Sequence, residues 1–348
     1  MDEMDLMKNL RDVPSPGPQA YDSARTALQE AMAEPAPVLR PKRWVSWPKL
    51  SVAAIGAAAV ATAVVMGTTS TSVPTGTPVV AAPQPVVVDS PLLKLASEVK
   101  AAAGPLTGDS SLVVITKPMP DGSPYVTYSL YTDKGPIFVG DSLKNLSETA
   151  KKNDDQARPF DRNVLSAARL AATGDLEKAK VAMVTAAGNP LGLGLSDAEA
   201  DKEWEKALAA NAEIFQKKGM EVPPAKPRPT GKELEDRVNN SLWHNTTYAM
   251  LIGAANPEVR EGVLKLLATL KDVTIANADV DGQAAITLTA GPALLLASTG
   301  SHVISIDAGN GLPIRSAYVP AKDSGEKGSA ANYKSSRVTL ADVLAGKI

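Results

Sequence analysis

Cysteine is absent from this 348-residue chain. Its absence excludes disulfides, thiolate metal sites, a cysteine nucleophile and a lipid-anchored cysteine. Histidine is nearly absent too: there are two, His244 and His302, and neither stands in an HExxH or HxH spacing. A metal site built on histidine would need both to meet, and each reads as structural, His302 opening an alternating strand and His244 lying on an amphipathic helix. No excess of either charge is present, with 36 Lys and Arg against 38 Asp and Glu and a net charge of -2. That balance offers no electrostatic footprint for nucleic acid. Aromatic residues make up only 4%.

Recognised catalytic and nucleotide-binding spacings fail in turn. Ser97-Glu98-Val99-Lys100 has the bare serine-xx-lysine spacing of penicillin-binding enzymes, in which lysine helps take the proton of the serine; no Lys-Thr-Gly or Ser-Asp-Asn follows. Gly192-Leu193-Gly194 lacks a third glycine and a preceding strand, so a dinucleotide site is not expected. Thr230-Gly231-Lys232 lacks the first glycine of a phosphate loop. Asp279-Val280-Asp281-Gly282 begins like a calcium loop but has no acid at the closing position, and reads as a hairpin turn. The expectation is a chain without catalytic residues, cofactor or metal.

What the chain does have is one long uncharged run. Residues 50–66, Leu-Ser-Val-Ala-Ala-Ile-Gly-Ala-Ala-Ala-Val-Ala-Thr-Ala-Val-Val-Met, carry no charge, and Lys49 stands at their edge. At about 1.5 Å per residue the run just crosses a hydrocarbon core of roughly 30 Å if Trp47 and Pro48 lie in the interface. Arg40, Lys42, Arg43 and Lys49 crowd its N-terminal side, whereas residues 68–88 contain no Lys or Arg. The positive-inside rule then predicts a single-pass cell-membrane protein, with a cytoplasmic N-terminus and an extracytoplasmic C-terminal part. The competing reading is a cleaved signal sequence, with Ala61-Thr62-Ala63 as the small-residue cleavage site. More than forty residues precede the run, against the short basic leader of a signal peptide, which favours a retained anchor.

The organisation expected on either side is as follows. Residues 1–43 form a cytoplasmic tail with short amphipathic helices. Tyr21, Ala24, Leu28 and Met32 supply an apolar stripe at helical spacing. It is either a docking peptide for a cytoplasmic partner or a frayed tail. Residues 44–67 are the span, residues 68–90 a Pro- and Thr-rich linker, and residues 91–348 an outer α+β domain.

Within the outer domain a helix over residues 91–103 is followed by strands at 111–116, 125–131 and 137–139, the last two joined by an Asp133-Lys134-Gly135 turn. Residues 143–220 are helical in pattern. Asn163 caps one helix, Gly174-Asp175 starts a second, and Ser196-Asp197-Ala198-Glu199 is a capping-box start for a third. A proline-rich connector at 221–230 leads to helices at 231–253 and 257–269, the second opened by Asn256-Pro257-Glu258. Strands are then expected at 273–276, 284–289, 294–297, 302–307, 313–319 and 336–341. Runs of strands interrupted by helices predict an antiparallel sheet with helices inserted.

Both ends of the chain carry a family resemblance. Met1-Asp2-Glu3-Met4 with Leu10-Arg11-Asp12-Val13-Pro14, the basic flank and Ala-rich run, and the C-terminal stretch form the pattern. That stretch holds Leu251-Ile252, Pro257-Glu258-Val259-Arg260, Val273 and residues 304–313, which contain Asp307-Ala308-Gly309-Asn310-Gly311. Together these resemble an actinobacterial family of single-span membrane proteins associated with extracytoplasmic-function sigma factors. The resemblance implies an outer domain like the lipoprotein-carrier fold, a curved and partly closed antiparallel sheet with helices on its concave face. It supplies no catalytic residues. Two functions follow as expectations. The first is a non-enzymatic sensor or accessory protein that binds an envelope ligand and relays it to a sigma factor or other regulator. The alternative is a membrane-tethered lipid or lipoprotein carrier.

Overall fold

A computed structural model describes residues 90–102, 107–119, 121–296, 298–322 and 324–348. The expected span at 44–67, the amphipathic tail with Tyr21, Ala24, Leu28 and Met32, and nearly all of the linker lie outside the described residues. Among the described residues no helix is long and apolar enough to cross a membrane.

The architecture is α+β, as the strand and helix runs predict. Helix α1 (Pro91–Ala102) precedes β1 (Ser110–Pro118), β2 (Pro124–Thr132) and β3 (Ile137–Gly140). Six helices follow: α2 (Leu143–Lys151), α3 (Pro159–Thr173), α4 (Leu176–Val184), α5 (Asp197–Lys217), α6 (Gly231–Gly253) and α7 (Pro257–Leu267). Then come β4 (Val273–Val280), β5 (Gln283–Ala290), the short α8 (Pro292–Leu295), β6 (Ser301–Asp307), β7 (Pro313–Val319), β8 (Ser329–Val338) and α9 (Leu340–Ala345). The strands form one open sheet in the order β3-β2-β1-β8-β7-β6-β5-β4, and every neighbouring pair is antiparallel. Two meanders, one from each end of the domain sequence, therefore meet where β1 pairs with β8.

Side-chain alternation gives the sheet two faces, which the helices cover unequally. On the inner face Ile286 and Leu288 of β5 and Ile304 and Ile306 of β6 share one large core with α1, α3, α4, α6 and α7. Trp243, Met250, Val263, Leu264, Leu266 and Leu267 fill that core from the helical side. On the outer face a smaller core joins Leu112, Leu130 and Phe138 to Leu146 and Ala150 of α2 and Val343 of α9. The closest helix crossing is α3 against α7: a Cβ on Gly262 would lie 1.7 Å from the Ala168 carbonyl oxygen, so only glycine lets the two backbones meet.

Several local signals act as expected. Ser196 and Glu199 close a capping box at the start of α5. Asn256 caps α7, with Pro257 in its first turn. Asp281 and Gly282, both at positive φ, turn β4 into β5, with Asp279 accepting from the Gly282 amide.

Three expectations are corrected. The strand expected at 294–297 is replaced by a helical turn: Pro292 sets a helical φ and Leu294 and Leu295 are both buried in α8, which an alternating strand does not allow; residue 297 lies outside the described residues. The last strand is not 336–341 but β8, and Thr339 starts α9 by accepting from the Asp342 amide. Ser-Ala-Ala-Asn has little intrinsic strand preference, and pairing with β1 and β7 imposes it. Asn163 does not cap α3, which begins at Pro159; its amide instead donates to the Ala186 carbonyl at 2.9 Å.

Candidate functional site

The serine-lysine pair of α1 is not a catalytic couple. Ser97 Oγ donates to the Leu93 carbonyl of its own helix at 3.0 Å. Lys100 Nζ sits 3.4 Å from the Glu261 carboxylate. The lysine is thus paired with an acid, and the hydroxyl proton is spent on backbone.

His302, the first inward residue of β6, faces α6. Its Nδ1 accepts from the buried Trp243 Nε1 at 3.2 Å, and its Nε2 lies 2.9 Å from Ser316 Oγ on β7. The indole uses the only lone pair of the neutral ring, so the imidazole keeps its proton on Nε2 and donates to Ser316. Ser316 therefore receives a hydrogen bond and is not activated as a nucleophile. Burial, reinforced by the positive charge that His244 would carry, lowers the His302 pKa to about 4. The ring is neutral at pH 7 and serves as a spacer between helix and sheet. His244 and His302 come within electrostatic reach, yet no group of three or more His, Cys, Asp or Glu that could hold a metal exists among the described residues.

Beyond the helices the inner face stays partly open and becomes aromatic. Tyr318 pairs across from His302, and Tyr333 of β8 lies in register with Ile115 of β1, which pairs with Thr127 of β2. Tyr125, two residues along β2 on the same face, is 42% exposed. The Tyr318 hydroxyl donates to the Glu326 carboxylate and accepts from Ser298 Oγ. Burial pushes the Tyr333 hydroxyl up to about 12, so it remains a neutral donor. This region offers rings and hydroxyls for contact, with no acid and base in reach of one reacting atom.

A charged cluster closes the other end. Asp133, in the turn from β2 to β3, accepts from Arg337 Nη2 at 2.6 Å and Nη1 at 3.2 Å, from Asn256 at 3.2 Å and from Arg169 at 3.5 Å. Arg337 also donates to the Gly108 carbonyl and Ser111 Oγ. Nearby, Asp161 accepts from Arg158 and from the Tyr248 hydroxyl at 2.7 Å. Burial alone would raise the Asp161 pKa, but those hydrogen bonds outweigh it and hold the carboxyl below its usual range. A cleft of about 170 Å³ separates this hairpin from α3. With its carboxylates already saturated, the cluster ties α3, α6, β8 and the hairpin together and has no free acid or base to offer.

The chain matches no protein family, curated protein or solved structure.

The sequence reading placed Asp133 only in a turn and passed over Arg158, Asp161, Tyr248 and Arg337. Arg337 and Asp133 are 204 residues apart and Tyr248 and Asp161 are 87 apart, so no local spacing could have paired them.

Proposed function

We propose that this chain is a membrane-anchored, non-enzymatic extracytoplasmic sensor or accessory protein linked to sigma-factor regulation, its outer α+β domain binding an envelope ligand and its tail contacting a cytoplasmic regulator. The observation that carries this reading is the uncharged run at 50–66, with four basic residues on one side and none on the other. The state of the outer domain's polar groups supports the non-enzymatic part. Ser97, Ser316, His302 and Asp161 are each committed to a hydrogen bond that leaves no activated nucleophile or base. The open aromatic end of the inner face, with Tyr125, Tyr318 and Tyr333, is the surface on which a ligand would be read. The carrier alternative requires room for an acyl chain on that face, where β5 and β6 are already packed against Trp243, Met250 and Leu264.

The absence of cysteine makes topology directly testable. Single variants Lys8→Cys and Lys218→Cys, exposed to a membrane-impermeant maleimide in intact cells, should label at position 218 and not at position 8. Labelling at neither position until lysis would overturn the anchored reading. For the regulatory arm, the full-length chain should co-purify with a sigma factor, and a variant with Tyr21, Leu28 and Met32 replaced by Asp should not. Co-purified lipid in native mass spectrometry of the full chain would favour the carrier.

A further inference from the structure

The outer face of the sheet holds a cation that has no partner among the described residues. Arg315 projects from β7 on the side away from the large core. Its register neighbours are Ser305 on β6 and Asn332 on β8, and Asn332 in turn pairs with Thr116 on β1. These four polar residues form one row across four strands. At the β1 end the row enters a cleft of about 240 Å³ lined by Thr116, Pro118, Gly122, Pro124, Arg315 and Asn332.

Among the described residues, the Arg315 guanidinium makes no ion pair or hydrogen bond, and the side chains of Asn332 and Thr116 make none either. The other arginines among the described residues behave differently: Arg337, Arg158, Arg162, Arg169, Arg228 and Arg237 are each bound to a carboxylate, and Arg260 donates to the Ala254 carbonyl. Asp121, on the turn that borders the cleft, is already used by the Ser123 amide and hydroxyl. The closing walls are proline and glycine, which contribute no acceptor side chain. Lys334 follows Asn332 by two residues on the same face, so a second cation stands beside the row, with the Asp121 carboxylate on the bordering turn.

We infer that this cleft binds a carboxylate group. The two parallel N–H bonds of a guanidinium fork match the two oxygens of a planar carboxylate, and the Asn332 amide and Thr116 hydroxyl can donate to its remaining lone pairs. One guanidinium balances one negative charge, and the proline walls give the ligand's carbon stem an apolar surface. The carboxylate belongs either to a small free acid or to a peptide C-terminus; both present the same planar group. The site lies on the opposite face from the aromatic surface, and its occupancy does not depend on the topology proposed above.

The test is a titration of the purified full-length chain, labelled with ¹⁵N-arginine and followed by two-dimensional NMR at constant ionic strength. The probes are propionate, N-acetyl-glycylglycine, its neutral C-terminal amide and inorganic phosphate. The expected result is saturable movement of one arginine Nε–H signal with both carboxylates and none with the amide. Arg315→Gln should remove that signal and weaken binding roughly tenfold or more, as loss of a charged hydrogen-bond pair does. Thr116→Val, which keeps the β-branched shape, should weaken binding severalfold with the melting temperature unchanged. Tighter binding of N-acetyl-glycylglycine than of propionate identifies a peptide terminus, and the reverse a free acid. Equal response to the amide, retention of affinity in Arg315→Gln, or tighter binding of phosphate than of either carboxylate would overturn the inference.

Discussion

The start of β1 and the end of β2 are covered on both faces, by α2 and α9 outside and on the inside where Tyr131 packs against the large core, whereas the helical cores cover β5 and β6 on the inner face alone. The difference is written into their side chains. Residues Ser110, Ser111, Leu112 and Val113 at the start of β1 are all buried, so polar-apolar alternation is lost there. In β5 alternation survives from Ile286 onward, with Ile286, Leu288 and Ala290 buried and Thr287 and Thr289 half-exposed. A strand needs a polar face only where water reaches it. The doubly covered half must then satisfy buried polar groups internally, and Arg337 with Asp133 does so at the sheet's covered end. In the singly covered half Thr287 and Thr289 reach solvent in part, and on neighbouring β7 the Arg315 guanidinium has no partner among the described residues.

The contrast can be broken most severely from the inner face of the singly covered half. Trp243 is fully buried, edge-on to the His302 ring at 5.7 Å. Trp243→Ala should cost about 3–5 kcal/mol in urea unfolding, through lost burial and the cavity left behind. A loss under about 1 kcal/mol would mean that α6 does not anchor this half.

A smaller effect is expected from the charged cluster that serves the doubly covered half. Arg337→Met should cost about 2 kcal/mol, between the values for exposed and fully buried pairs, because Asp133 is 29% exposed and keeps Arg169 and Asn256. The same variant measured at high salt should lose less than at low salt. An unchanged unfolding midpoint at both salt concentrations would show that the cluster contributes specificity and no stability.

The smallest effect sharpens the comparison. Thr287→Val and Thr289→Val, on the bare outer face of β5, keep the β-branched shape and should each change stability by no more than about 0.5 kcal/mol. A gain well above that, seen in unfolding curves together with a concentration-dependent rise in apparent mass, would reveal that this face is covered by another molecule.

The amino-acid sequence by itself determined the elements whose causes are local. Apolar periodicity gave α6 and α7, Asn256-Pro257 gave the start of α7, Asp281-Gly282 gave a hairpin, and Ser196 with Glu199 gave a capped helix; each depends on residues within one or two turns of each other. It also gave the α+β class, because helix-rich and strand-rich stretches follow one another along the chain. Only the tertiary structure decided the pairing of β8 with β1 and β7, which makes a strand of residues with little preference for one. The same holds for the proton on His302, fixed by an indole 59 residues away, and for the difference between a paired Arg337 and an Arg315 with no partner among the described residues. A hydrogen bond or an ion pair depends on distance in space, and a folded chain brings together groups whose separation in sequence carries no record of that distance.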